Sequence, residues 1–169
     1  MKKFEVAILS GGRGTRVKKY TRNIPKCLIE INGKPFLYHQ LKYLKKNNIK
    51  SVIILVGYLG EKVKSYLEKN IDFIKVKVVS DGKKLLGTGG AILKSLNYLK
   101  KNFFIIYGDS YLNFNLKKLI NKNTIATMAI FKNQNKYDKS NIKIKNSQNI
   151  SYYKGKPNKK LLYIDYGAS

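Results

Sequence analysis

The run Val52-Ile53-Ile54-Leu55-Val56 is apolar at every position, without the polar alternation of a strand that faces water on one side. Such a run marks a strand covered on both faces, the position strands occupy in parallel sheets flanked by helices. Phe103-Phe104-Ile105-Ile106-Tyr107 reads the same way, ending at Gly108-Asp109, and Phe4 to Leu9 forms a third buried strand that stops at Ser10 and the glycines after it. Between them the period changes. Phe36 to Lys46 carries Phe36, Leu37, Leu41 and Leu44 at helical spacing behind Pro35, Glu61 to Leu67 reads as a short helix, and Ala91 to Leu99 reads as a helix opened by Gly89-Gly90. Cys27 to Ile31 reads as a short strand before the Asn32-Gly33 turn, and Val76 to Val79 as another strand. Strands alternating with helices at this spacing predict right-handed crossovers and an α/β fold with a doubly wound, mostly parallel sheet.

After Asp109 the pattern turns β-rich. Leu116 to Ile120 reads as one more helix. Thr124–Phe131, Ile142–Lys145, Ile150–Tyr153 and Leu161–Tyr166 then read as strands of a mixed or antiparallel arrangement, with Lys132–Lys139 as an exposed loop. The chain stops at Ser169 soon after an apolar run, without a closing helix, which predicts a single domain over residues 1–169 that is incomplete at its C-terminus.

Composition narrows the function classes. No apolar stretch approaches the roughly 20 residues that span a bilayer, and the first residues lack a signal peptide's apolar region, so a soluble, cytoplasmic protein is expected, with no membrane partner. The single cysteine, Cys27, has no partner for a disulfide or a cysteine zinc site and reads as a small buried side chain. Thirty-five Lys and Arg against nine acids give a formal charge of +26, which invites a nucleic-acid reading. The lysines are scattered in pairs rather than gathered, however, so no specific nucleic-acid partner is expected beyond weak, salt-sensitive polyanion binding.

The stretch "ILSGGRGTR" from Ile8 to Arg16 follows the first strand directly. It fails the dinucleotide fingerprint, because Val17 stands where the third glycine belongs, and the Gly-x4-Gly-Lys-Ser/Thr phosphate loop occurs nowhere. What remains is bare backbone that lets N–H groups approach phosphate oxygens, with the permanently charged forks of Arg13 and Arg16 beside it. Lys26, behind Pro25, is a second candidate phosphate contact. Asp109, at a strand end after a glycine, suits Mg²⁺, which takes one or two carboxylates and completes its shell with phosphate and water. Leu86-Gly87-Thr88-Gly89-Gly90-Ala91 opens a helix whose free N–H groups suit an anion or a base edge. Taken singly, each has a plain alternative: a glycine turn with solvated arginines, a surface lysine, a turn-capping carboxylate, a helix start. Ligands of open α/β sheets settle at the carboxyl ends of strands, so the glycine loop and Asp109 should face one crevice. His39, without a second histidine in the chain, reads as structural.

Together these residues resemble the sugar-1-phosphate nucleotidyltransferases. The matching pieces are "LSGGRGTR" at Leu9–Arg16, "PKCLIEINGKPFL" at Pro25–Leu37, "GYLGEKV" at Gly57–Val63, "LLGTGGAI" at Leu85–Ile92 and "YGDSYL" at Tyr107–Leu112, in the family's order. The resemblance implies a Rossmann-like fold, with a nucleotide-binding core over 1–112 and a sugar-side part over 113–169. It also implies the reaction of an NTP with a sugar 1-phosphate to give an NDP-sugar and pyrophosphate. By this resemblance Leu9, Gly11, Gly12, Gly14 and Thr15 line the nucleotide, Arg16 meets the triphosphate, and Lys26 binds phosphate at the reacting centre. Gly87 and Thr88 meet the base, Asp109 holds Mg²⁺, and Arg13 falls at a variable position.

"LGTGGAI", "GDSYL" and "YIDYGAS" are most similar to the branch with heptose- and mannose-1-phosphate guanylyltransferases, so GTP is the favoured nucleotide, with thymidylyl and cytidylyl transfer open. "YIDYG" at Tyr163–Gly167 occupies the place where relatives meet the sugar, which makes Asp165 and Gly167 candidate sugar contacts. Two departures stand out. Lys154-Gly155-Lys156-Pro157 lacks the acid of the family's Glu-Lys-Pro, and the chain does not reach the family's second metal-binding Asp. A nucleotide-binding remnant without turnover and a basic nucleic-acid-binding domain stay as alternatives, and homo-oligomer formation stays open.

Overall fold

The computed structural model describes residues 4–14, 23–146, 149–153 and 161–169. Two compact units divide the chain between Asn115 and Leu116.

The first unit is built on four parallel strands, β1 (Glu5–Ser10), β4 (Ser51–Val56), β5 (Lys75–Ser80) and β6 (Phe103–Tyr107), in the order β5-β4-β1-β6. The chain begins in the middle of this sheet, moves outward on one side to β5, then crosses back to add β6 on the other side of β1. That reversal makes the carboxyl ends of β1 and β6 the switch point at which open α/β sheets form their crevice. The mostly parallel, Rossmann-like fold is therefore present. β4 is buried along its whole apolar run, as its sequence predicts. β6 differs: Phe104 and Ile106 are buried while Phe103, Ile105 and Tyr107 are half-buried, because β6 lies at the edge of the four-stranded sheet.

Among the described residues three α-helices accompany the sheet: α1 (Phe36–Lys46), α2 (Gly60–Asn70) and α3 (Gly87–Ser95). α1 buries Leu37, Gln40, Leu41 and Leu44, the i, i+3, i+4, i+7 stripe of a helix lying on a core. α3 starts at Gly87, ahead of the predicted Ala91, so Gly87 and Thr88 form its first turn; a 3-10 turn at Leu96–Tyr98 completes it. The Cys27–Ile31 strand is also corrected. Behind Pro25, with φ −56°, Lys26–Leu28 closes a 3-10 turn through Leu28 N–H to the Pro25 carbonyl at 2.8 Å, leaving only β2 (Glu30–Ile31) to pair with β3 (Lys34–Pro35). No described helix is long and apolar enough to cross a membrane.

The second unit holds an antiparallel sheet of β7 (Ile130–Lys132), β8 (Ile142–Asn146), β9 (Asn149–Tyr152) and β10 (Tyr163–Asp165), in the order β7-β10-β8-β9. The Thr124–Phe131 strand shrinks to Ile130–Lys132, the stretch that finds partners on the three-residue β10. Leu116–Leu119 is a 3-10 turn instead of an α-helix. The Lys132–Lys139 stretch is exposed except at Asn133, whose side chain accepts from Tyr137 N–H at 3.1 Å and donates to the buried Ser140 Oγ at 3.0 Å.

Candidate functional site

The first unit opens a cleft of about 410 Å³ at the carboxyl ends of β1 and β6, within the size range of small-ligand sites. Leu9, Gly11, Gly12 and Gly14 of the glycine loop line it, together with Lys26, Gly87, Thr88 and Asp109. Segments far apart in sequence thus converge because the parallel strands all end on the same side. Thr15 and Arg16 lie outside the described residues. Arg13 is exposed and is not among the lining residues.

Asp109 is held from two directions. Gly108 donates its N–H to the Leu9 carbonyl at 2.9 Å, so β6 leaves the sheet pressed against β1. A Cβ on Gly108 would stand 2.3 Å from Ser10 Oγ and 2.8 Å from the Leu9 carbonyl oxygen, so only glycine permits this approach. Behind the turn, the buried Gln40 of α1 donates its amide to the carbonyls of Tyr107 at 2.9 Å and Ser110 at 3.0 Å, one before and one after Gly108-Asp109. The turn that carries the carboxylate is thereby clamped to a core helix.

Lys26 Nζ lies 2.5 Å from Asp109 Oδ2, both side chains partly exposed to the cleft. Cys27, next along the turn, is 3% exposed, and burial pushes its thiol up to about 11. It is the buried side chain its sequence suggests. His39 Nε2 meets the Ile31 carbonyl at 2.8 Å, a structural contact.

On the other side α3 presents its first turn without any side-chain cap, so the N–H groups around Gly87 and Thr88 are available to a ligand. Asp81, just after β5, also lines the cleft, and the sequence reading did not single it out. Its signal was faint: one acid in a Ser-Asp-Gly turn, a composition that ordinarily marks a loop. Gly57 sits beside it, where a Cβ would come within 2.7 Å of the Gly11 carbonyl and 3.0 Å of Asp81 Oδ2.

In the second unit, Asp165 Oδ1 accepts the Gly167 N–H at 2.7 Å, and Gly167 is buried with φ +86°. The carboxylate read as a sugar contact thus also closes its own turn.

A parallel sheet with a glycine loop, a lysine and a carboxylate at its switch point defines an α/β protein with a cleft of the kind in which open α/β sheets bind their ligands. Residues 5–167 match the nucleotidyl transferase family, and the chain belongs to it. Among its relatives is the D-glycero-alpha-D-manno-heptose 1-phosphate guanylyltransferase of Campylobacter jejuni, 39% identical over 135 residues that cover 80% of this chain and 60% of that protein. The enzyme of the same description from Aneurinibacillus thermoaerophilus is 34% identical over 119 residues, covering 70% of this chain and 51% of its own. The chain therefore spans between half and two thirds of the length of these relatives. The crystal structure of HddC from Yersinia pseudotuberculosis complexed with GMP-PN superposes with a TM-score of 0.78 at 28% identity, covering 98% of this chain and 75% of that one.

Proposed function

We propose that this protein transfers a nucleotidyl group from an NTP, with GTP favoured, to a sugar 1-phosphate in the cytoplasm, releasing pyrophosphate. The observation that carries this is the convergence of the glycine loop, Lys26, Asp109 and the first turn of α3 on one cleft. The kinship with guanylyltransferases supports the choice of GTP.

The chemistry asks little of side chains as bases. A sugar-phosphate oxygen, already ionised at neutral pH, forms a bond to the α-phosphorus in line as the bond to the bridging α–β oxygen breaks, and pyrophosphate departs with that electron pair. Catalysis is then positioning and charge stabilisation. Leu9, Gly11, Gly12, Gly14 and Thr15 line the nucleotide, the bare backbone of the loop after Gly11 letting N–H groups approach phosphate oxygens. Lys26 offsets charge at the reacting centre, and Arg16 grips the triphosphate. Gly87 and Thr88 hold the base, and Asp165 and Gly167 contact the sugar.

Asp109 would hold Mg²⁺. Among the described residues no group of three or more His, Cys, Asp or Glu side chains converges. The carboxylate of Asp109, lining the cleft, fits a hard ion whose other ligands are phosphate oxygens and water. Such an ion, when bound, neutralises triphosphate charge.

The test is incubation of the chain with each NTP, Mg²⁺ and a panel of sugar 1-phosphates. Pyrophosphate should appear only when an NTP and a sugar 1-phosphate are both present. Arg16→Ala and Lys26→Ala should each lower turnover strongly while circular dichroism stays unchanged; equal activity in either variant contradicts its role. Nucleotide binding without pyrophosphate release would identify a remnant that has lost turnover.

A further inference from the structure

Resting on the nucleotidyl-transfer reading and deepening it, we infer that Asp81 reads the base and selects guanine through that base's adjacent N1–H and N2 amino donors.

Asp81 is held in place on several sides. Its N–H donates to the Val56 carbonyl at 2.8 Å, its own carbonyl accepts Lys94 Nζ at 3.2 Å, and its Oδ2 accepts Leu86 N–H at 3.1 Å. The strand β4, the helix α3 and the turn before that helix therefore all fix where the carboxylate stands. It packs against glycine backbone, with Oδ2 3.5 Å from where a Cβ on Gly11 would be. Lys94, the cation that reaches this turn, gives its ammonium to the carbonyls of Ser80 and Asp81 rather than to the carboxylate. Among the described residues Asp81 has no ion-pair partner, whereas Asp109 is matched by Lys26.

An unmatched carboxylate is a poor neighbour for a triphosphate, because like charges repel. It must face the nucleoside end of the ligand. The geometry agrees, since the bond to Leu86 puts it beside Gly87, where α3 begins. There an ionised carboxylate, which only accepts, must meet donors. Guanine alone among the common bases sets two donors side by side on its pairing edge. Adenine and cytosine put a ring-nitrogen acceptor next to their amino group, and uracil and thymine put carbonyls on both sides of one N–H. Those acceptors would face the carboxylate unpaired.

Isothermal titration calorimetry of the full chain with GTP, ITP, ATP, UTP and XTP, in Mg²⁺, tests this. ITP lacks the 2-amino group, so the native protein should bind GTP at least about tenfold more tightly than ITP, the range of a hydrogen bond to a charged group, and more tightly still than ATP or UTP. Asp81→Asn keeps an oxygen for Leu86 N–H but turns the other acceptor into a donor. It should bring GTP and ITP within about twofold and gain affinity for XTP, whose 2-carbonyl accepts from the new amide. A uniform loss across all nucleotides in Asp81→Asn, with the GTP-to-ITP ratio kept, would reduce Asp81 to a turn-holding role and overturn the inference. Equal binding of all the triphosphates by the native chain would overturn it too, while leaving nucleotidyl transfer standing. Binding of none would overturn both.

Discussion

Lys26 Nζ and Asp109 Oδ2 stand 2.5 Å apart, so the cation read for phosphate and the carboxylate read for metal neutralise one another. Each ligand therefore competes with a protein partner. A phosphate that draws Lys26 away releases Asp109, and a cation on Asp109 releases Lys26; the coupling is reciprocal. Lys26→Met should tighten Mn²⁺ binding in the absence of nucleotide by about two- to fivefold, the range of a partly exposed ion pair, while weakening triphosphate binding. Electron paramagnetic resonance of free Mn²⁺ measures the first and calorimetry the second. Unchanged metal affinity would mean that the pair does not restrain the carboxylate.

Gly108→Ala probes the close approach of β6 to β1. Ser10 Oγ can rotate away from the new methyl, but the Leu9 carbonyl at 2.8 Å is backbone and cannot. The strand end must shift, at a cost of about 1–3 kcal/mol typical of overpacking, and Asp109 must shift with it. A lower Tm together with weaker metal binding is expected. Adding Ser10→Gly should recover only part of the loss, and full recovery would mean that the hydroxyl alone set the limit.

How much of this was legible in the sequence depended on whether a signal was local. Val52–Val56 announced a covered strand because burial on both faces leaves a continuous apolar run, and α1 announced itself through Leu37, Leu41 and Leu44. Cys27–Ile31 misled, since an apolar run of that length suits a strand. The fixed φ of Pro25 and the carbonyls of Pro25 and Lys26 turned it into a 3-10 turn instead. Thr124–Phe131 has β-favouring residues, yet pairing requires a partner and β10 supplies one only from Ile130 onward. Phe103–Tyr107 looked covered on both faces because its residues are apolar, but its place at the sheet edge is a matter of topology. In the cleft, glycines and Asp109 were readable as strand-end features. Gln40 and Asp81 were not, because what distinguishes them is a contact across the fold: Gln40 reaches residues 67 and 70 positions away.

Gln40→Leu keeps the volume of the buried side chain and removes both donors. The Tyr107 carbonyl would keep the Ser110 N–H at 3.1 Å, but the Ser110 carbonyl would lose its partner on α1, at a cost of about 1–3 kcal/mol if left unsatisfied. Because those carbonyls flank Asp109, the variant should also raise the Mg²⁺ concentration needed for half-maximal activity more than it raises KM for the sugar phosphate. Gln40→Asn, one methylene shorter, should restore neither. A drop in Tm with an unchanged Mg²⁺ requirement would limit Gln40 to stability.

Cys27 ties the electrostatics of the turn to pH. Its thiol is raised from 9.0 to about 11 by burial. Between those values the unfolded chain ionises while the folded one keeps its proton, so this contribution to stability is whole below pH 9 and is lost as pH rises through about 11. The same shift leaves about a hundredfold fewer thiolates at pH 8 than in the unfolded chain, and the thiolate is the reactive form. Native protein should therefore react with a thiol reagent such as DTNB at least about a hundredfold more slowly than protein in urea. Rapid labelling of the native chain would mean that the Lys26–Leu28 turn opens, and with it the ion pair that Lys26 makes with Asp109.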